Sequence, residues 1–531
     1  MRPNDRIFRG RRRASTVLGD SRFLPGPSTA RYGGNTSCIE VRSARGTLVI
    51  LDCGTGGHSL SQKLTSGSAK CSRGHILISH THWDHIQGIP FFYPLFAPGN
   101  EWDIYGPRGL CQSLRETLGG QMQYTYFPVP LDQCRAKIRY HDLVEGVFEI
   151  DDIKVSTQYL NHPALTLGYR LEADGATVVY VCDHEPYSRT LATGDGDISG
   201  QDLRHAQFLS HADLLIHDAQ YTAEEYPTKV GWGHSSIEYV LNLGHHAEVN
   251  RIALTHHDPL RDDDAIDRLI ANAQAELRQN AFSLDVFAAV EGQVVEVAPS
   301  RVKRSVHHKE EFQAERLVEP ALAERSVLLG IADTKLASTL AENIRAEGIH
   351  AKFVSSMEEA RTLITKHRPS VAILEYDPPY IDGMEMCRAI REQENDQQYQ
   401  LPVVMVAAQE NQVAGAAAGV TDWLIRPFTD AYARTKICAW LLRTACQRSR
   451  VIVSEGKKRR LAGPLVRVRK GPMAQTRFSK NVISADKSAL LWMYCREIAP
   501  FETPAFSNAV GDLIARATKR HPEMRGRSAA M

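Results

Sequence analysis

Six consecutive residues, His80-Thr81-His82-Trp83-Asp84-His85, place three imidazoles and a carboxylate just after the apolar run Ile76 to Ile78. In extended chain, residues two apart point the same way. His80 and His82 can therefore reach one cation while Asp84 and His85 turn toward a second. Neutral imidazole with carboxylate is a ligand set that zinc favours, with manganese or iron as substitutes. The alternative is a polar loop that happens to be rich in histidine.

Strands must carry these groups. Cys38 to Val41 and Thr47 to Leu51 read as a hairpin, and its second strand runs into Asp52-Cys53-Gly54-Thr55-Gly56-Gly57. Gly88 to Phe96 reads as a short helix and Trp102 to Tyr105 as a strand. Asp152 to Gln158 alternates and leads to Asn161-His162-Pro163. Thr177 to Val181 is a β-branched run followed by Asp183-His184-Glu185-Pro186. Leu214 to Ile216 delivers His217-Asp218, and Arg251 to Leu254 delivers Thr255-His256-His257-Asp258. Strands that each end in a His or Asp cluster gather those groups at one edge of the sheets.

With these clusters in view, residues 16–299 resemble the metallo-β-lactamase fold, an αββα sandwich of two mixed sheets flanked by helices. The likeness runs from Gly33-Gly34-Asn35-Thr36-Ser37-Cys38 through Asp52, the HxHxDH stretch, His162, Asp183 and His256. It implies two divalent metal ions, most simply Zn2+. One would be held by His80, His82 and His162 and the other by Asp84, His85 and His256, with Asp183 bridging. Two such ions activate water and clamp the attacking and leaving oxygens.

The fold hosts many reactions, and two further features narrow the choice. His217-Asp218-Ala219-Gln220-Tyr221-Thr222, followed by Gly233-His234-Ser235-Ser236, resembles the paired motifs of phosphodiesterase members, ribonuclease Z among them. The resemblance implies that Asp218 orients His234 as general acid, so that Asp84, His234 and Asp218 count as catalytic residues. The alternative is that Asp218 and His234 only tie a loop to the sheet.

Phe91 to Phe96, Ile104 to Pro107, and Asn161 to Pro163 with Gly168-Tyr169-Arg170 resemble the branch that contains phosphoribosyl cyclic phosphodiesterase. The intervals from His162 to Asp183 and on to Asp218 leave little room for the arm with which ribonuclease Z holds tRNA. His256 follows His234 too closely for the insert of β-CASP nucleases. The expected substrate is a small or cyclic, nucleotide-like phosphodiester. A ribonuclease Z-like nuclease and a non-catalytic metal-binding signalling scaffold are the alternatives. Trp83 and Trp232, beside these groups, either pack or stack on a base or ribose.

At 531 residues the chain exceeds one ordinary core. Residues 1–15 read as a basic, disordered leader and 300–324 as a linker. The ten cysteines are scattered, as expected of reduced thiols in a cytoplasmic protein. No apolar run is long enough for a transmembrane segment.

Residues 325–445 alternate strand and helix in five βα units, which predicts a doubly wound, flavodoxin-like parallel sheet. With Trp423-Leu424-Ile425-Arg426-Pro427-Phe428 this segment resembles the receiver domain of response regulators. Receiver chemistry needs an acidic pair for magnesium, an acceptor aspartate, a hydroxyl and a lysine. Here the pair falls on Ile331 and Ala332, with Asp333 following, the acceptor on Glu375, the hydroxyl on Ala407 and the lysine on Arg426. The expectation is a pseudo-receiver that docks a signalling protein or self-associates.

Residues 446–531 read as a basic, partly disordered tail, with 18 Lys and Arg against 6 Asp and Glu from residue 447 on. Such a tail would serve nucleic acid or an anionic membrane surface.

Overall fold

The computed structural model describes residues 13–17, 26–66, 71–110, 112–299, 325–376, 382–394 and 400–461. The strands of its first half are β1 (Arg13–Val17), β2 (Ile39–Arg42), β3 (Leu48–Leu51), β4 (Arg73–Leu77), β5 (Glu101–Pro107), β6 (Lys137–Leu143) and β7 (Gly146–Ile150). They continue with β8 (Ile153–Tyr159), β9 (Leu167–Ala173), β10 (Ala176–Val181), β11 (Leu214–Asp218), β12 (Arg251–Thr255), β13 (Asp285–Ala288) and β14 (Gln293–Val297). Two seven-stranded sheets result, ordered β14-β1-β2-β3-β4-β5-β6 and β13-β12-β11-β10-β9-β8-β7. Both mix parallel and antiparallel pairs.

The strand period decides which side chains meet. On β10, Val178 and Tyr180 enter the core between the sheets with Ile39, Val41, Val49 and Leu171. Val179 and Val181, half a period away, pack with Leu215, Ile252 and Leu254 against residues of the helices Ile237–His246 and Asp263–Gln279. A strand buried on both faces reads as an uninterrupted apolar run, as Val178–Val181 does. Each such side chain contributes about 1.5–3 kcal/mol by leaving water, so the strand is anchored before its polar end begins.

Two sequence expectations change here. Gly88 to Phe96 forms two 3-10 turns, Ile89–Phe91 and Tyr93–Leu95, because Pro90 and Pro94 remove the amides a longer helix would need. The first sheet also begins at Arg13, inside the expected leader. There, Ala14 to Val17, ending in β-prone Thr16 and Val17, pairs with both β14 and β2.

A third sheet is wholly parallel: β15 (Ser326–Gly330), β16 (His350–Phe353), β17 (Val371–Glu375), β18 (Val403–Ala407) and β19 (Asp422–Ile425), in the order β16-β15-β17-β18-β19. Its strands alternate with helices Thr334–Ala346, Met357–His367, Gly383–Gln393 and Gln412–Ala418, and it closes with Asp430–Leu461. That last helix includes Lys457-Lys458-Arg459-Arg460, so the start of the expected tail is helical backbone. Linker 300–324 and residues 462–531 lie outside the described residues.

The sandwich and the third sheet belong to one compact unit. Residues 122–130 fall outside that unit, and within them the Phe127 amide donates to the Gln123 carbonyl at 2.9 Å. No helix among the described residues is long and apolar enough to cross a membrane.

Candidate metal centre and active site

The C-terminal ends of β4, β8, β10, β11 and β12 lead to His80, His162, Asp183, Asp218 and His256. Asp52, at the end of β3, joins them. Asp52, Asp183 and His256 adopt left-handed backbone, with φ of 57°, 56° and 55°. Each costs about 1 kcal/mol or more that the surrounding structure must offset, and each aims a side chain into the site.

Two groups of ligand atoms gather within 4.8 Å: His80, His82, His162 and Asp183 in one, His85, Cys182, Asp183 and His256 in the other. Asp183 is common to both. Asp84 faces the second group, its Oδ2 2.9 Å from His85 Nε2 and 3.4 Å from His256 Nε2. All seven expected ligands therefore converge, and Cys182 is added. Its Sγ donates to Asp183 Oδ1 at 3.0 Å, and burial, then Asp183, push the thiol well up.

The hydrogen bonds around the rings decide which nitrogens are free. His162 Nδ1 donates to the Gly233 carbonyl at 2.9 Å, a pure acceptor, so its Nε2 carries a lone pair. That Nε2 lies 3.1 Å from His82 Nδ1 and 3.6 Å from Asp183 Oδ2. His85 Nδ1 donates to Asp52 Oδ2 at 2.8 Å. Asp52 also accepts the Ser79 amide and hydroxyl and the Tyr180 hydroxyl. His80 Nε2 is buried with no hydrogen-bond partner.

Burial drives His162 down to about 3 and, with His85 next, His80 well below the usual imidazole range. Burial opposes the charge on Asp183, but the surrounding imidazoles, His256 and His85 first, keep its carboxyl well below its ordinary value. Convergent lone pairs of His80, His82 and His162, driven neutral by burial, beside an ionised carboxylate fit one divalent cation. In the second group burial is outweighed, the carboxylates of Asp84 and Asp183 push His85 well up and His256 up to about 9, and both rings would give up a proton on taking a cation.

Behind the rings lies a third shared carboxylate. Asp218 is fully buried and accepts the amides of His184 and Ser235 at 3.1 and 3.0 Å. His234 Nδ1 lies 3.3 Å from its Oδ2. Burial would raise the Asp218 pKa, but hydrogen bonds from His217 and His234 outweigh it and hold the group well below the carboxylate range. The His234 ring stacks on His256 at 4.7 Å and meets His162 edge-on at 5.5 Å, so it borders both ligand groups.

Glu185, to which the sequence assigns no role, is built into the site's support. Its carboxylate accepts the amides of Gly231 and Gly233 and the Tyr226 hydroxyl, all at 2.8 Å. It thereby sets the loop that carries both the Gly233 carbonyl and His234. The only sign in the sequence is its place directly after Asp183-His184. Trp83 and Trp232 do not pack: they are 68% and 60% exposed, and Lys229 Nζ lies 4.7 Å from the Trp232 ring centre.

In the third sheet, Glu375 ends β17, Ala407 ends β18 and Arg426 follows β19. Glu375 pairs with Arg426 and accepts the amides of Ala332 and Asp333. The Asp333 carboxylate caps its helix through the amides of Lys335 and Leu336.

Residues 47–257 match the model of the beta-lactamase superfamily domain, and residues 331–437 that of the response regulator receiver domain. The chain carries both domains. Among curated proteins, it is 25% identical over 304 residues to ribonuclease BN of Cronobacter sakazakii, spanning 49% of this chain and 94% of that protein. It is 26% identical over 307 residues to ribonuclease Z of Lactococcus lactis subsp. cremoris, again 49% and 94%. Among solved structures, the metallo-beta-lactamase fold protein YhfI of Bacillus subtilis matches at 18% identity and a TM-score of 0.40, covering 54% of this chain and 100% of that one.

Proposed function

We propose that the metallo-β-lactamase-fold domain hydrolyses phosphodiesters at a two-cation centre, with His234 as general acid. The observation that carries this reading is the placement of His234, held on buried Asp218 and bordering His162 of one ligand group and His256 of the other. The chemistry that two divalent cations supply at such a site is Lewis-acid activation of water and neutralisation of phosphoryl charge. His80, His82 and His162 would hold one cation and Asp84, His85 and His256 the other, with Asp183 between them. Zinc suits this donor set.

The chain's own groups do the rest. Asp218, ionised, fixes His234 through Nδ1 and leaves Nε2 for substrate. As the P–O bond breaks, Nε2 gives its proton to the leaving oxygen. Exposed Trp232 with Lys229 above it, and exposed Trp83 beside His82, offer stacking faces and a cation for a nucleotide.

A small or cyclic phosphodiester is the substrate class favoured. The hairpin β9–β10 fills the interval from His162 to Asp183, and two short helices, Arg189–Ala192 and Gly200–Leu209, lead on to Asp218. The names of the curated relatives support a second reading, a nuclease.

The test is side-by-side assay of bis-p-nitrophenyl phosphate, a panel of cyclic nucleotides, RNA and nitrocefin, with metal content measured on the same sample. Turnover of phosphodiesters with two metals per chain is expected. Two metals without phosphodiester turnover would remove the reading. Salt-sensitive RNA cleavage exceeding that of cyclic nucleotides would select the nuclease.

A further inference from the structure

We infer that the receiver domain positions the hydrolase's ligand loop, with Tyr432 and Thr435 as positioning residues for His162. The inference rests on the reading of His162 as a metal ligand.

The last receiver helix lies along the chain that leaves β8. Tyr432 Oη donates to Asn161 Oδ1 at 2.9 Å, and Thr435 Oγ1 donates to the Pro163 carbonyl at 2.8 Å. These are the residues on either side of His162. Farther along the helix, Arg443 donates to the Tyr159 carbonyl at 3.2 Å and to Glu145 at 3.0 Å. Residues 159, 161 and 163, alternate positions along the segment, are thus each held by this helix.

The remaining polar atoms of Asn161 are committed to the hydrolase. Its Nδ2 donates to the Glu185 carbonyl at 3.0 Å, its amide to His184 Nδ1 at 3.2 Å, and its carbonyl accepts the Glu185 amide at 2.8 Å. Tyr432 thereby completes a lattice that joins the loop of His162 to the loop of Asp183.

The same receiver face holds that second loop too. Ser188 Oγ donates to Glu410 at 2.6 Å, and Arg189 Nη2 donates to the Ile425 carbonyl at 2.9 Å. Arg426, the next residue, is the partner of Glu375. The gripping face is therefore fixed by an ion pair within the chain and needs no phosphoryl group. The His162 ring itself is held by the Gly233 carbonyl, and these bonds fix the backbone on either side of it. Loss of a bond to a metal-binding imidazole typically weakens metal affinity about 10–100-fold, which bounds the effect of releasing its two neighbours.

The test uses the full-length protein loaded with zinc. Two dissociation constants are measured by competition with a chromophoric chelator, together with melting temperature and with kcat and KM on bis-p-nitrophenyl phosphate. Tyr432→Phe and the double variant Tyr432→Phe/Thr435→Val remove only hydroxyl groups. Arg434→Gln, on the same helix, breaks a pair with Glu347 inside the receiver. In the double variant one zinc constant is expected to weaken about 10–100-fold while the other stays within about twofold. Its kcat falls at limiting zinc and recovers when zinc is raised. Tyr432→Phe shifts the same constant less, and Arg434→Gln leaves both at wild type.

Unchanged constants in the double variant would overturn the inference. So would an equal shift in Arg434→Gln, or a joint loss of both zincs with a lowered melting temperature in Tyr432→Phe alone. Wild-type protein that takes up no zinc would overturn the ligand reading of His162, and the inference with it.

Discussion

The Gly233 carbonyl accepts the His162 Nδ1 proton at 2.9 Å, and the backbone that presents it has a φ of 89°. A Cβ on Gly233 would lie 2.1 Å from His162 Nδ1 and 2.4 Å from Pro163 Cδ. Gly233→Ala is therefore expected to push the imidazole out of the first ligand group and to displace His234 with it. Zinc content and turnover should fall together. A variant with two tightly held zincs and full activity would refute this coupling.

His234 and Asp218 should separate by leaving group. Removing a general acid costs about 10²–10⁴-fold when the leaving oxygen needs a proton. His234→Ala should therefore lose that factor on an alkyl or ribosyl ester and far less on bis-p-nitrophenyl phosphate, whose leaving group departs as an anion. Asp218→Asn should follow the same pattern. Equal losses on both substrates would assign the pair a structural role.

Asp52 joins four groups: the Ser79 amide and hydroxyl, the Tyr180 hydroxyl and His85 Nδ1. Asp52→Ala leaves buried donors without an acceptor, each costing about 1–3 kcal/mol, and frees the His85 ring. The expected result is a lower melting temperature together with about 10–100-fold weaker binding of one zinc. Calorimetry and chelator competition on one sample check both.

Glu145 lies between Arg204 and Arg443 at the receiver boundary. Burial raises its pKa, but the two guanidinium groups overcome this and hold it at about 2. A carboxyl depressed from its ordinary 4.5 contributes stability that is complete above that value and is lost as pH falls toward the folded one. The full contribution is of order 3 kcal/mol. Between about pH 5 and 3, wild type should lose more stability than Glu145→Gln, read by urea unfolding. Parallel profiles would contradict the assignment.

Acetyl phosphate with magnesium should leave the receiver unmodified by intact mass. Glu375 occupies the acceptor position already paired with Arg426, and Asp333 is spent as a helix cap. A stable phosphate adduct in residues 325–445 would show that the chemistry survives.

The metal site was readable because its ligands are concentrated. Three imidazoles in six residues, and β-branched runs that end in His or Asp, are local signals. The receiver-like order was readable for the same reason, since alternating strand and helix is a local pattern. Cys182 was invisible, because a thiol before an aspartate looks like any buried strand residue until both sheets are closed. Glu185 is legible as part of its cluster, but its role depends on amides 46 and 48 residues away. The grip of Tyr432 on Asn161 spans 271 residues, a separation at which periodicity and spacing carry no information. Prolines 90 and 94 mark the break locally, against an apolar pattern that by itself favours one helix.

Trp83 and Trp232 stand in water beside the proposed ligands, whereas Trp102 is wholly buried and Trp423 and Trp440 are each 7% exposed. The enzyme thus carries its own optical reporter. The long-wavelength, acrylamide-quenchable part of its indole emission comes, among the described residues, from the rim of the active site. Filling that rim should change emission before any bond is broken, so substrate candidates can be ranked by fluorescence titration, without a chromogenic ester and even in a catalytically silent variant.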